Sequence, residues 1–191
     1  MKEEIIQAFE ESVEAKSAFL KENLPTLMTV IDLIAQAFLR GNKLLLFGNG
    51  GSAADSQHIA AEFVNRFRIE RPPLPALALT TDTSTITSIA NDYDYKEIFA
   101  KQVKALGKEG DIALAISTSG DADNVLAAID ACKRLKITTV GLTGGNGGKM
   151  AQKVDHLLRV SQGKNTARIQ ETHILVGHVI CEMVDRQLFS A

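Results

Sequence analysis

The stretch Lys43-Leu-Leu-Leu-Phe47-Gly-Asn-Gly-Gly-Ser52 decides the fold. A short apolar run ends in a cluster of glycines, and a helical pattern follows to about Arg66. A run too short for a helix, a glycine turn and then a helix read as the first unit of an α/β protein. The alternation recurs on working outward. Leu74–Leu79, Asp111–Ile116, Ile137–Leu142 and Val154–Val160 read as further strands. Helices are predicted near 83–90, 95–106, 122–135, 147–151 and 166–188. Strands alternating with helices imply a parallel sheet covered on both faces. Ile112-Ala-Leu-Ala-Ile116, apolar at every position, suits a strand buried on both sides. Ahead of the first strand, residues 4–22 and 25–40 carry apolar side chains at helical spacing (Ile5, Phe9 and Val13, then Leu27, Val30, Ile31 and Ile34). Pro25 sits where a second helix would begin. The expectation is one α/β domain over 1–191. Residues 1–41 form two N-terminal helices as a cap or oligomer arm, and 42–191 form a core around a five-stranded parallel sheet.

Composition narrows the function. The chain of 191 residues is long enough for a sizeable core, and 45% hydrophobic with 23% charged residues is ordinary for a globular protein. A formal net charge of −2 gives no electrostatic footprint for nucleic acid. Neither a signal peptide nor a membrane span fits the sequence. Cys132 and Cys181 fall in predicted helices without metal-type spacing and read as buried thiols of a reducing compartment. The cytoplasm is the expected location.

Ligands of open parallel α/β sheets sit beyond the carboxyl ends of the strands. Two such ends here are unusual: Gly48-Asn49-Gly50-Gly51-Ser52 after the first strand and Ser117-Thr118-Ser119-Gly120 after the third. Glycines allow close backbone approach, hydroxyls donate without charge, and each following helix offers free N–H groups. Glycine- and serine-rich turns are also common caps, and Ser52-x-x-Asp55 reads as a capping box. Two such loops at matching positions favour an anion site, in particular a phosphate. Neither loop has a P-loop lysine, and the spacing departs from the dinucleotide fingerprint. Thr80–Thr85 reads as a helix cap and Thr143–Gly148 as a flexible turn.

His58 and Glu62, four residues apart on the helix leaving the first loop, share a face. Gln170 and His178 lie on the final helix. Together they are N/O donors suited to a zinc-like ion. The ordinary readings are a surface His–Glu pair and a core histidine at 178. Eight residues of straight helix span about 12 Å. Gln170 and His178 therefore share an ion only if both lean toward it, the helix is irregular, or one ligand comes from another subunit. His156 and His173 read as structural.

The ordered set Gly48-Asn-Gly-Gly-Ser52, Gln57-His-Ile-Ala-Ala-Glu62, Asn65-Arg-Phe67, Arg71-Pro72, Asn91-Asp92, Gly110-Asp-Ile112, Ser117-Thr-Ser-Gly120 and Ile169-Gln-Glu-Thr-His173 resembles the phosphoheptose isomerases of the sugar isomerase (SIS) fold family. The resemblance spans nearly the whole chain. It implies a flavodoxin-like SIS fold and conversion of sedoheptulose 7-phosphate to D-glycero-D-manno-heptose 7-phosphate. That is the first step of ADP-heptose synthesis for bacterial surface polysaccharide. It also implies one zinc ion per subunit and a homotetramer whose active sites draw on more than one subunit. Carried over as zinc ligands are His58, Glu62, Gln170 and His178. Carried over to substrate are Asn49, Gly50, Gly51, Asn91, Asp92, Ser117, Thr118, Ser119, Glu62 and Gln170, and Ser52 joins them from the first loop. An aldose–ketose isomerisation through an enediol needs a base at C1–C2 and a partner acid, roles that fall to Glu62 and His178. Two positions depart from the pattern: many relatives carry serine at Ala122 and some an acidic residue at Ala167. Two alternatives stand beside this reading. Around Asn65–Arg71 and Tyr95–Gly110 the chain also resembles a tetrameric SIS scaffold that binds the replication initiator, and the phosphate loops alone suit an SIS enzyme or sensor for another sugar phosphate.

Overall fold

Every run predicted as a strand joins one parallel sheet. In the computed structural model, which describes residues 1–189, β1 (Leu44–Gly48), β2 (Ala76–Ala78), β3 (Ile112–Ser117), β4 (Thr138–Gly144) and β5 (His156–Val160) lie in the order β2-β1-β3-β4-β5. The last two residues of the expected 42–191 core lie outside the described residues. β1 and β3 are buried along their whole length because helices cover both faces. Alternation splits their side chains between two cores. Leu44, Leu46, Ile112 and Leu114 face α1 (Lys2–Leu39), α2 (Gly51–Val64) and α6 (Thr166–Phe189). Leu45, Phe47, Ala113 and Ala115 face α4 (Ile98–Leu106) and α5 (Asp123–Arg134). α3 (Thr83–Asp92) lies further out and has no buried residue. Two 3-10 turns, Tyr95–Glu97 and Gly148–Gln152, complete the elements of the described residues.

The N-terminal expectation needs correction. Residues 2–39 form one continuous helix with Pro25 inside it, not two helices. Proline removes one ladder hydrogen bond and usually breaks a helix. Here Phe19, Asn23, Leu27 and Val30, buried on either side of it, pack the helix along α6 and β5, and that tertiary burial overrides the local preference. Asn23 adds a specific tie. Its Nδ2 donates to Arg159 O at 3.1 Å and its Oδ1 accepts from Arg159 N at 3.0 Å, so one side-chain amide mimics a strand partner at the free edge of β5.

The strand order places the topological switch point between β1 and β3. The two unusual loops follow those two strands, so they face one crevice. Among the described residues, no helix is long and apolar enough to cross a membrane. Cys132 and Cys181 are buried and free, and burial pushes the Cys132 thiol up to about 12.

Candidate active site

The first loop turns into α2 through Gly50, at φ +54°, which is the N-cap and provides no side-chain hydrogen bond. The capping-box reading of Ser52 and Asp55 is therefore corrected: the helix already begins at Gly51, and Ser52 is buried inside its first turn. A Cβ at Gly48 would strike Ile116 O and Ser52 Cβ, so glycine is needed where β1 and β3 come together. Asp55, freed from capping, keeps Oδ2 buried without a partner, and that burial raises its carboxyl pKa.

In the second loop the hydroxyls hold the backbone in place. Ser117 Oγ accepts from Gly120 N and Ser119 Oγ accepts from Asp121 N, each at 3.2 Å. Both hydroxyl hydrogens remain free to donate to an anion. The turn expected to be merely flexible, Thr143–Gly148, supports this loop. Gly144 N donates to Thr118 O at 3.1 Å, Lys149 N to Asp121 Oδ1 at 3.0 Å, and Met150 N to Gly120 O at 2.9 Å. Gly120, at φ +72°, lies so close to Gly147 O that no side chain fits there. Beneath the loop, fully buried His173 holds Thr143 O at 3.2 Å, and burial lowers its pKa to about 4. The ring is thus neutral at physiological pH and structural, as expected from the sequence. Thr80–Thr85 is the predicted cap: Asp82 is the N-cap of α3 and accepts from Thr85 N at 3.0 Å, which lowers its pKa.

α2 and α6 run side by side in the same direction, and their seam carries the predicted donors. At the loop end, the amide of Gln170 lies against Gly51, where a Cβ would collide with it. Midway, Gly177 admits Ile59. Beside that contact, His58 Nε2 and His178 Nε2 meet at 2.9 Å, and Glu62 Oε1 stands 3.3 Å from His58 Nε2. All three donor atoms lie within 4.8 Å of one another. At the far end, buried Arg71 donates to Glu62 O, Phe63 O and Asn65 O at the end of α2 and to Asp185 Oδ1 of α6 at 2.9 Å. Phe67 stacks on His178 with ring centroids 5.4 Å apart and fixes its plane.

This donor set suits a divalent ion. Tetrahedral zinc with bonds of roughly 2.0–2.1 Å keeps ligand atoms about 3.4 Å apart. The 3.3 Å pair already matches that spacing, and the 2.9 Å pair needs only a slight opening. The His58 side chain is 48% exposed, so the cluster opens to an incoming ligand.

Among the remaining predicted residues, Asn91 and Asp92 sit exposed at the end of α3, with Asn91 Nδ2 donating to Asp92 Oδ1 at 2.8 Å. Thr118 is half-buried and Ser119 exposed at the crevice. Asn49 spans the two loops by pairing with Asn124, a residue the sequence reading passed over. Asparagine in the first turn of a helix reads as a local cap, and nothing in the sequence marks a partner 75 positions away.

The SIS domain family matches residues 8–144. The chain is 52% identical over 189 residues to the phosphoheptose isomerase of Thermodesulfovibrio yellowstonii, covering 99% of this chain and 94% of that one. The solved phosphoheptose isomerase of Neisseria gonorrhoeae superposes with a TM-score of 0.90 at 42% identity, over 96% of this chain and 98% of that one. The enzyme from Francisella tularensis gives 0.92 at 41% identity, over 96% and 97%.

Proposed function

We infer the chemistry of this seam from the family to which the chain belongs: it is an SIS-domain protein of the phosphoheptose isomerase family. It is an aldose–ketose isomerase of sedoheptulose 7-phosphate in heptose biosynthesis. Half identity to such enzymes over nearly the full length favours the isomerase over the initiator-binding scaffold and over a sensor of another sugar phosphate. The observation that carries the reading is the convergence of His58, Glu62 and His178 on the seam that begins at the glycine loop.

The phosphate sits on the free hydroxyls of Ser117, Thr118 and Ser119 and on the N–H groups at the start of α5, where Ala122 is the N-cap and has no side-chain bond to offer. The first loop, with Asn49, Gly50, Gly51 and Ser52, and the Asn91–Asp92 pair hold the sugar hydroxyls. Binding at both ends positions C1 and C2 for reaction. Glu62 takes the C1–C2 proton and returns it to the neighbouring carbon. A carboxylate has two oxygens, so one can face an ion while the other receives the proton. His178, held by Phe67, moves protons at the substrate oxygens. Gln170, at the loop end of the same seam, would join His58, Glu62 and His178 as a fourth zinc ligand by leaning toward them or by coming from a neighbouring subunit. An ion held there would supply Lewis acidity to the carbonyl and hydroxyl oxygens.

A product assay tests this. The enzyme is expected to form D-glycero-D-manno-heptose 7-phosphate, to lose that activity on exhaustive chelation and to regain it with zinc. Full activity in protein shown to be metal-free would remove the ion from the chemistry, and no heptose 7-phosphate under any condition would remove the isomerase reading.

The assembly is a cytoplasmic homotetramer. Phe9, Val13, Leu20, Leu24 and Met28 form an exposed stripe at helical spacing along α1, from 46% to 73% exposed, which a second copy would cover. Sedimentation of the wild type should give the four-chain mass, and Phe9→Glu should shift it to smaller species. A monomeric wild type would overturn the assignment.

A further inference from the structure

The two loops are joined by a side-chain bridge across the switch point. Asn49 Nδ2 donates to Asn124 Oδ1 at 2.8 Å, and Asn124 Nδ2 donates back to Asn49 Oδ1 at 2.9 Å. The orientation of both amides is fixed from outside the pair. Val125 N donates to Asn124 Oδ1 at 2.9 Å, so that atom must be the oxygen, and Asn49 must then present its N–H to it. Tyr95 Oη donates to Asn49 Oδ1 at 3.3 Å, which agrees. Asn124 is 3% exposed, so the bridge is shielded from competing water.

The side chain of Asn49 is thereby committed. Its oxygen accepts twice and one of its amide hydrogens is used, which leaves a single N–H for any ligand. Beneath the bridge, β1 and β3 are locked by the sheet, whereas the loops leave it, and among the described residues no other side-chain hydrogen bond joins 48–52 to 117–124. The amide pair is what holds the glycine turn at a set distance from the serine turn.

We propose that Asn124, acting through Asn49, is a positioning residue that fixes the spacing of the two loops so that one substrate molecule engages both. A ligand that reaches across both loops gains from their being held in register before it arrives. A ligand small enough to sit on the serine loop alone gains nothing from the bridge. The inference rests on the isomerase reading only for the identity of the spanning ligand.

Asn124→Ala tests it, with Asn124→Ser as the companion that can still cap Val125 N if the alanine variant folds poorly. The KM for sedoheptulose 7-phosphate should rise at least about tenfold with a smaller change in kcat, because binding energy is spent on ordering the loops. Inorganic phosphate, occupying the serine loop alone, should bind both variants within about threefold of wild type by calorimetry. A KM unchanged in folded variants overturns the proposal. So does phosphate affinity falling in step with KM, which marks local damage at the start of α5. Phosphate binding needs no turnover, so a wild type inactive on sedoheptulose 7-phosphate would overturn the isomerase reading while calorimetry with inorganic phosphate and with the intact sugar phosphate still decides the role of the bridge.

Discussion

Glu62→Gln is expected to cut turnover of sedoheptulose 7-phosphate by roughly a thousandfold while leaving the fold intact. Glutamine keeps the size of the side chain and can still meet His58, whose Nε2 lies 3.3 Å from Glu62 Oε1. It has no carboxylate to take a proton from carbon. The Glu62 side chain is 22% exposed and forms no buried ion pair, so its neutralisation leaves no charge stranded in the core. The midpoint of thermal unfolding should stay within about 4 °C of wild type. Near-normal turnover would take Glu62 out of the mechanism altogether.

The second large effect falls on stability, at Arg71. Its side chain is 1% exposed, and the carboxylate of Asp185 that it meets is 4% exposed. The guanidinium also gathers the carbonyls of Glu62, Phe63 and Asn65 where α2 ends. Asp185 Oδ2 is buried without a partner, so Arg71 is its main compensation. Arg71→Met should cost about 3–5 kcal/mol, because it strands a buried carboxylate and uncaps the helix that carries His58 and Glu62. Denaturant melts measure the loss. Adding Asp185→Leu should recover a large part of it, since a buried pair replaced as a whole is often tolerated. A double variant no more stable than Arg71→Met would mean that the carbonyl contacts of Arg71, not its charge pairing, carry the effect.

Much of this could be read in the sequence, for identifiable reasons. Strands such as Ile112–Ser117 are uniformly apolar because both faces are covered, and their glycine- and serine-rich exits stand out against them. His58 and Glu62 were visible as a pair because a helix puts them one turn apart. The pairing of His58 with His178, 120 positions away, is a product of the parallel seam; donor chemistry and the family resemblance grouped the two in the sequence, but no spacing could. Pro25 misled because its local preference is strong, whereas the burial that overrides it comes from α6 and β5, far along the chain. Ser52 and Asp55 misled because a glycine at positive φ can start a helix with no side-chain cap. Asn124 was hidden because its partner, Asn49, is distant in sequence.

The tie between Asn23 and Arg159 also has a consequence for how the molecule is made. Asn23 is completed only by a residue that the ribosome adds 136 positions later. At roughly 5–20 residues per second, the long leading helix waits on the order of ten seconds for its groove. Phe38 already meets Phe63 early in that interval, but Phe19 and Leu27 on the same side of the helix lack their cover until β5 and α6 are made, and the sheet edge at β5 closes only then.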